Sequence, residues 1–370
     1  MNIHVLSKNV KQFRNAKKLS QKDLAALAGI SVPALKNLEL AKTEPRMKTI
    51  QAIAKALNVK LYELFQPTKE LTTVRFRSAK RMQNRNNILS YIARKIDDFN
   101  YLEDLLESKK QFGLNSIKSK CTQVTPVEAA ELCRKELELK DTEPIHDICG
   151  LLEDAGIKVF PVNMTSDSFF GLSVGEDDGG PAVVVNVWER ISVERWIFSA
   201  AHELGHLLLH PYSYDVNLLK DDENEEKEAN KFAGHFLMPD KGFQKEWDEA
   251  LGLHFVDRVL KVKRIFRVSY KTILSRLIEY SDADNSIWKN FNIAFQKRYS
   301  RKIPFKEEPN CLTGAEPFGM QRFDFYEDRF SRLVRKAVEE DKISLSRGAE
   351  MLDIGIEEMQ ALLQDCGEIL

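Results

Sequence analysis

The densest chemistry in the chain sits in the stretch SAAHELGHLLLH, residues 199–210 of 370, which holds His202, Glu203, His206 and His210 out of only seven histidines. On an α-helix, positions four apart differ by one turn plus about 40°, so the His202 and His206 imidazoles leave the same side. Val193, Ile197, Ala200, Leu204 and Leu208 recur at spacings of three and four and form an apolar stripe beside them. Burying two imidazoles and a carboxylate without partners would cost a few kcal/mol each. The pattern H-E-x-x-H has a chemical resolution: two neutral imidazoles bind one Zn²⁺, and Glu203 between them serves as general base.

A catalytic zinc needs a third protein ligand and an open position. Extending the motif along the same helix would require Gly at 209 and His at 212, but these are Leu209 and Tyr212. His210 is rotated about 80° from His202 on a straight helix, so it reads as helix-terminal. The third ligand is better supplied by EKEANKFAGHFLMP, where Glu226, Asn230, Ala233 and Leu237 form one stripe. Glu226 can reach the metal, and Asn230, one turn on, can hold a ligand imidazole. Glu228 is rotated about 200° from Glu226 and is the weaker candidate. His235 points away and reads as a packing or surface residue. Small Gly205 and Ala233 suit a close approach of the two helices. Tyr212 and His210 are candidates to stabilise an oxyanion, and the strand PAVVVNV is a candidate to bind substrate backbone as an added strand.

These helices need a frame. IKVFPV, FFGLSV and PAVVVNV read as strands from their period and β-branched content, preceded by the helices PVEAAELCRKEL and IHDICGLLEDAG. With AHELGHLLLH and EKEANKFAGHFLMP, residues 125–280 resemble the ImmA/IrrE family of metallopeptidases. The resemblance implies a zincin-like α+β fold, a gluzincin-like zinc endopeptidase, Zn²⁺ on His202, His206 and Glu226, and Glu203 as the catalytic base. It also implies a helix-turn-helix repressor as protein substrate, in a stress or mobile-element circuit.

Residues 1–67 carry 12 Lys/Arg against 4 Asp/Glu in a chain whose net charge is -1, an asymmetry that points to a polyanionic partner. Ser20 caps SQKDLAALAG, Ser31 caps SVPALKNLEL after a short break, and MKTIQAIAKAL and KLYELF complete a five-helix core. LSQKDLAALAGISVPALKNLE resembles the Cro/C1-type helix-turn-helix (XRE) family over residues 6–66. That resemblance implies a double-stranded DNA operator, with Gln21 on a phosphate and Ser31, Val32, Pro33, Lys36 and Asn37 along the recognition helix in the major groove. A lone module of this size normally dimerises to gain affinity, so a homodimer is a candidate assembly. Ala41 stands where the family usually has glycine.

Residues 68–124 read as a helical connector, with one long helix from Arg75 to Ser108, and residues 281–370 as a largely helical region, irregular between Ile303 and Phe325. The terminal text ISLSRGAEMLDIGIEEMQALL echoes a helix-turn-helix, but residues 336–370 hold 3 Lys/Arg and 9 Asp/Glu, which phosphates would repel. A packing or partner-facing hairpin fits better. Five scattered cysteines without a C-x-x-C pair argue against disulfides and a thiolate zinc site. No long apolar run predicts a membrane span, and a reducing cytoplasm fits. The expected protein is multidomain and mainly α with a small β-sheet: a DNA-binding regulator fused to a zinc endopeptidase that cuts a repressor or itself. The competing readings are a repressor or antitoxin whose zincin domain is a sensor with little turnover, and a structural zinc domain in an interaction scaffold.

Overall fold

The computed structural model describes residues 3–17, 19–57, 59, 61–65, 71–76, 85–166, 169–214, 222–281, 284–303 and 316–367. It divides into two compact units, one comprising residues 1–71 and 82–97, the other residues 72–81 and 98–370.

The first unit contains α1 (Ile3–Ala16), α2 (Gln21–Leu27), α3 (Val32–Glu39), α4 (Met47–Leu57), a 3₁₀ turn at Leu61–Leu64 and the first part of α5 (Arg85–Leu105). Ser20 and Ser31 cap α2 and α3 by accepting from Asp23 N and Ala34 N. Leu6, Val10, Leu24, Leu35, Leu38, Ile50, Ile53, Leu57 and Leu64 close the core. α2 ends on Gly29 at φ 64°, and α3 ends on Ala41 at φ 55°. Around Ala41, Ala41 N donates to Leu38 O and Lys42 N to Asn37 O, both at 2.9 Å, which is the Schellman closure. The closure forces the left-handed region on an alanine.

The second unit is built on a four-stranded sheet in the order β1-β3-β4-β2, from β1 (Val74–Phe76), β2 (Lys158–Val162), β3 (Gly171–Val174) and β4 (Ala182–Asn186). β2 pairs with β4 in parallel, Lys158 opposite Ala182, whereas β3 pairs antiparallel with both β4 and β1. The three expected strands form. The expectation of a helix starting at Arg75 is corrected: Val74–Phe76 is an edge strand, and α5 starts at Arg85. A run of three alternating residues is too short to stand out against the surrounding charged text. Residues 77–84 of that expectation lie outside the described residues.

α6 (Asn115–Cys121), α7 (Pro126–Glu136) and α8 (Ile148–Asp154) lie between β1 and β2 in the chain. α9 (Val193–Leu209) crosses it, packed on β3 and β4, and α10 (Glu223–Leu237) packs on α9. Then follow α11 (Asp240–Glu249), α12 (Phe255–Phe266), α13 (Tyr270–Ser281) and α14 (Ser286–Tyr299). α12 ends at Arg267, a left-handed C-cap at φ 56°, which separates it from α13. Most of the expected irregular stretch after Ile303 lies outside the described residues; Arg322–Asp324 is a 3₁₀ turn.

α15 (Arg329–Glu339), α16 (Leu345–Met351) and α17 (Ile356–Gly367) end the fold. They pack rather than project: Arg329 Nη2 lies 2.6 Å from Glu103 Oε1, Arg347 pairs with Asp98, and Phe330 stacks on Phe99 at 5.4 Å between centroids. Among the described residues, no helix is long and apolar enough to cross a membrane.

Candidate metal centre and helix-turn-helix surface

Ser192 caps α9, its Oγ accepting from Arg195 N, and the helix is buried along almost its whole length, Glu194 and Glu203 included. Such burial requires close neighbours. A Cβ built on Gly205 would stand 3.0 Å from Phe232 Cδ1 and 3.4 Å from Ala229 Cα, so this glycine sets the α9–α10 approach. The small partner facing it is Ala229, one turn before the expected Ala233.

The approach brings His202, His206 and Glu226 together, one ligand atom from each lying within 4.8 Å of the others. His202 Nε2 and His206 Nε2 are 2.9 Å apart. Glu226 Oε2 lies 3.5 Å from the first, and Glu226 Oε1 lies 3.2 Å from the second.

The outward-facing ring nitrogens fix the protons. His202 Nδ1 lies 3.0 Å from Asn230 Oδ1, which only accepts. His210 Nε2 lies 2.8 Å from Glu228 Oε2, and His210 Nδ1 lies 3.0 Å from His206 Nδ1. Glu228 takes the His210 proton on Nε2, so His210 Nδ1 accepts from His206 Nδ1–H. Both Nε2 atoms therefore present a lone pair rather than a proton, and they face each other and a carboxylate. Burial, together with nearby Arg75, outweighs the pull of the Glu226 carboxylate toward a charged ring and holds His206 down at about 4, so it is neutral at pH 7. Three converging acceptors at 2.9–3.5 Å match the edge of a ligand tetrahedron around a cation, about 3.4 Å for bonds near 2.05 Å.

Glu203 leaves α9 toward β3. Ser173 Oγ donates to its Oε2 at 2.8 Å, and Tyr214 Oη donates to Ser173 Oγ at 2.8 Å. A Cβ on Gly171 would come within 2.8 Å of Val184 O and 3.1 Å of Glu203 Oε1, so β3 can run this close only with glycine there. Burial pushes the Tyr214 hydroxyl well above the usual tyrosine range and keeps it protonated.

Two sequence expectations change. Tyr212 is 95% exposed and does not face the centre; Tyr214, two residues on, is the tyrosine in the network. β4 has partners on both edges, so it offers no free edge to a substrate. His235 does not meet the metal residues: it is buried beside Arg276, Asp240 and Glu279.

Arg75 on β1 is a residue the sequence reading missed. Its guanidinium pairs with Glu225 and lies 3.4 Å from Glu226 Oε1. Burial opposes ionisation of Glu225, but the hydrogen bonds from Ser213 and Arg75 outweigh it and hold the carboxyl below its ordinary range. A cavity of about 460 Å³ opens along the same α9–α10 groove, lined in part by Arg195, Phe198, Lys227, Asn230, Lys231 and Arg276. It borders the residue that holds His202.

In the first unit, Ser31, Val32, Pro33 and Lys36 are exposed on α3 and Asn37 is half-buried, on the side away from Leu35 and Leu38. Gln21, half-buried at the start of α2, has a partner within the unit. Its Nε2 donates to Glu39 Oε2 at 2.6 Å, and Arg14 holds the same carboxylate at 2.6 and 3.0 Å, so Gln21 braces α2 against α3.

Comparison with known proteins divides the chain in the same sense. Residues 152–277 match the family described as IrrE N-terminal-like domain, a peptidase family, and residues 10–64 match the helix-turn-helix family. The HTH-type transcriptional regulator DdrOP3 of Deinococcus deserti is 33% identical over 61 residues, 16% of this chain and 47% of that protein. The chain thus spans about half the length of the curated relative it matches. Among solved structures, Bacillus thuringiensis PlcR in complex with the peptide PapR7 and DNA is 11% identical, with 98% of each chain covered and a TM-score of 0.19. ComR from Streptococcus suis is 11% identical over 100% of this chain and 96% of that one, with a TM-score of 0.17. Scores this low carry no structural conclusion. The two family matches carry more: residues 10–64 are similar to helix-turn-helix domains, and residues 152–277 are similar to a peptidase domain of the IrrE N-terminal-like family.

Proposed function

We propose that the protein is a cytoplasmic DNA-binding regulator whose second unit is a zinc-dependent endopeptidase acting on a repressor-type protein or on its own chain. One observation carries the peptidase reading: the His202 and His206 Nε2 atoms and the Glu226 carboxylate converge at 2.9–3.5 Å, each backed by a group that fixes its proton or orientation. Such a donor set fits Zn²⁺, with His202, His206 and Glu226 as ligands. When bound, zinc supplies Lewis acidity toward water and a scissile carbonyl.

The chain's own residues do the rest. Asn230 and His210 hold the ligand rings in the tautomer that presents Nε2. Ser173, braced by Tyr214, fixes the Glu203 carboxylate, which takes the proton of the attacking water and returns it to the leaving amide nitrogen. The buried walls of α9 and β3 exclude bulk water. In the first unit, Ser31, Val32, Pro33, Lys36 and Asn37 face the major groove of an operator, and the positive surplus of residues 1–67 attracts its phosphates. Two copies binding a palindromic site suit a domain of this size.

The test incubates purified wild type and Glu203→Gln with candidate helix-turn-helix repressors and follows discrete fragments by mass spectrometry. Glu203→Gln should keep its zinc and lose cleavage by several orders of magnitude; cleavage at the wild-type rate refutes the base. His206→Ala should release zinc, read by metal analysis, and an unchanged zinc content refutes the ligand set.

A further inference from the structure

β1 stands apart from the rest of the sheet. β2, β3, β4, α9 and α10 all fall within the matched residues 152–277, whereas Val74–Phe76 lies far upstream of them. It contributes three residues to the edge of β3, with Val74 opposite Val174, Arg75 opposite Ser173 and Phe76 opposite Leu172. Gly175 N donates to Thr73 O at 2.9 Å, and the alternation of an antiparallel ladder makes Arg75 and Ser173 the next hydrogen-bonded pair. The ladder residue opposite Arg75 is therefore the serine that holds Glu203. The Arg75 side chain ends on Glu225 and Glu226. Upstream, the Asp178 carboxylate accepts from Thr72 N and Thr73 N, each at 2.6 Å.

An extended chain running antiparallel to an edge strand beside the reacting groups is how a sheet binds a peptide: main-chain bonds give affinity and alternate side chains give selectivity. Among the described residues, β3 is the strand that meets Glu203, and β1 occupies its outer edge.

We propose that Thr72–Phe76 is a resident occupant of the substrate edge, so that the centre is closed while β1 is paired. It opens to extended polypeptide segments that place a basic residue in the Arg75 position, against Glu225 and Glu226. The proposal rests on the peptidase reading above and names the substrate class and the regulation of the same site. Asp178 and the three-residue ladder hold the occupant, and Glu225 and Glu226 select for positive charge. A competing segment gains the same bonds that β1 gives up.

The experiment uses the full-length chain and a fluorescein-labelled peptide of residues 71–76, Leu-Thr-Thr-Val-Arg-Phe, followed by fluorescence anisotropy. Arg75→Pro removes the ladder donor and the guanidinium together; Thr73→Pro removes one of the two amide donors to Asp178 from the resident strand, while the peptide keeps both. Far-UV circular dichroism identifies folded variants. Folded Arg75→Pro should bind the peptide at least tenfold more tightly than wild type, Thr73→Pro should fall between them, and a peptide with glutamate in place of arginine should not bind. Where Arg75→Pro does not fold, Thr73→Pro alone decides. Wild type binding as tightly as the variants, or a folded variant binding no better than wild type, overturns the proposal. Capture needs neither zinc nor turnover, so failure of the peptidase reading and failure of this one give different results.

Discussion

His210→Ala tests whether the proton arrangement at the proposed metal centre is functional. In the wild type, His206 Nδ1–H is satisfied by His210 at 3.0 Å, and His210 is oriented by Glu228 at 2.8 Å. His206 is fully buried, so losing His210 leaves its Nδ1–H without a partner. The cheaper response is a change of tautomer. The proton moves to Nε2, where Glu226 Oε1 at 3.2 Å can accept it. Zinc must then displace that proton and restore an orphaned Nδ1–H, a penalty of about 1–3 kcal/mol. This corresponds to zinc binding weakened by about 10–100-fold, the range found for groups that orient metal-bound histidines. Glu228→Gln should cost less, under about 1 kcal/mol, because the Glu228 side chain is 51% exposed and its amide oxygen still accepts. Competition against a chromophoric chelator at neutral pH reads both variants, with far-UV circular dichroism confirming the fold. Wild-type affinity in His210→Ala, or a larger loss in Glu228→Gln than in His210→Ala, refutes the reasoning.

Two further perturbations probe the frame. Ala41→Gly relieves the left-handed residue that closes α3. It should stabilise the first unit by up to about 1 kcal/mol, relief of strain being partly offset by a more flexible unfolded chain; a fall in the melting temperature of that unit contradicts the Schellman assignment. The Glu153 carboxyl is pushed up to about 7 by burial and by Asp328, with Arg329 opposing. A folded pKa above the unfolded value gives stability that is fully present below about pH 4 and lost as pH rises through 7. Glu153→Gln, which is neutral at every pH, should therefore flatten the fall in stability between pH 5 and 8 by about 1–3 kcal/mol, read by urea denaturation; an unchanged slope refutes it.

The legible part of the centre is the part written with helical period. His202, His206, Glu226 and Asn230 come from two helices whose facing residues repeat every three or four positions, so spacing alone puts them on the facing sides. The illegible part comes from elements whose relation is set only by the fold. Arg75 is 150 residues before Glu225, and no local pattern announces their pairing. Ser173 left a fainter signal: Gly171 and Ser173 alternate along FFGLSV, so one face of an otherwise apolar strand is small and polar, which is what a strand needs to approach a carboxylate.

His210 shows where rotation arguments stop. Helical geometry placed it too far around to share the metal, yet α9 ends at Leu209 and His210 has left helical geometry at φ -124° and ψ 45°. That departure turns its ring behind His206 instead of beside it. A residue excluded as a ligand by the helix is thereby free to set the tautomer of one, because the cap, unlike the helix interior, obeys no fixed period. The same freedom lets β1 contribute to the sheet from outside the matched domain: three residues need only a free edge and an acidic pair to receive Arg75. Periodic helices thus assemble the donors, and an aperiodic strand covers the sheet edge beside Glu203.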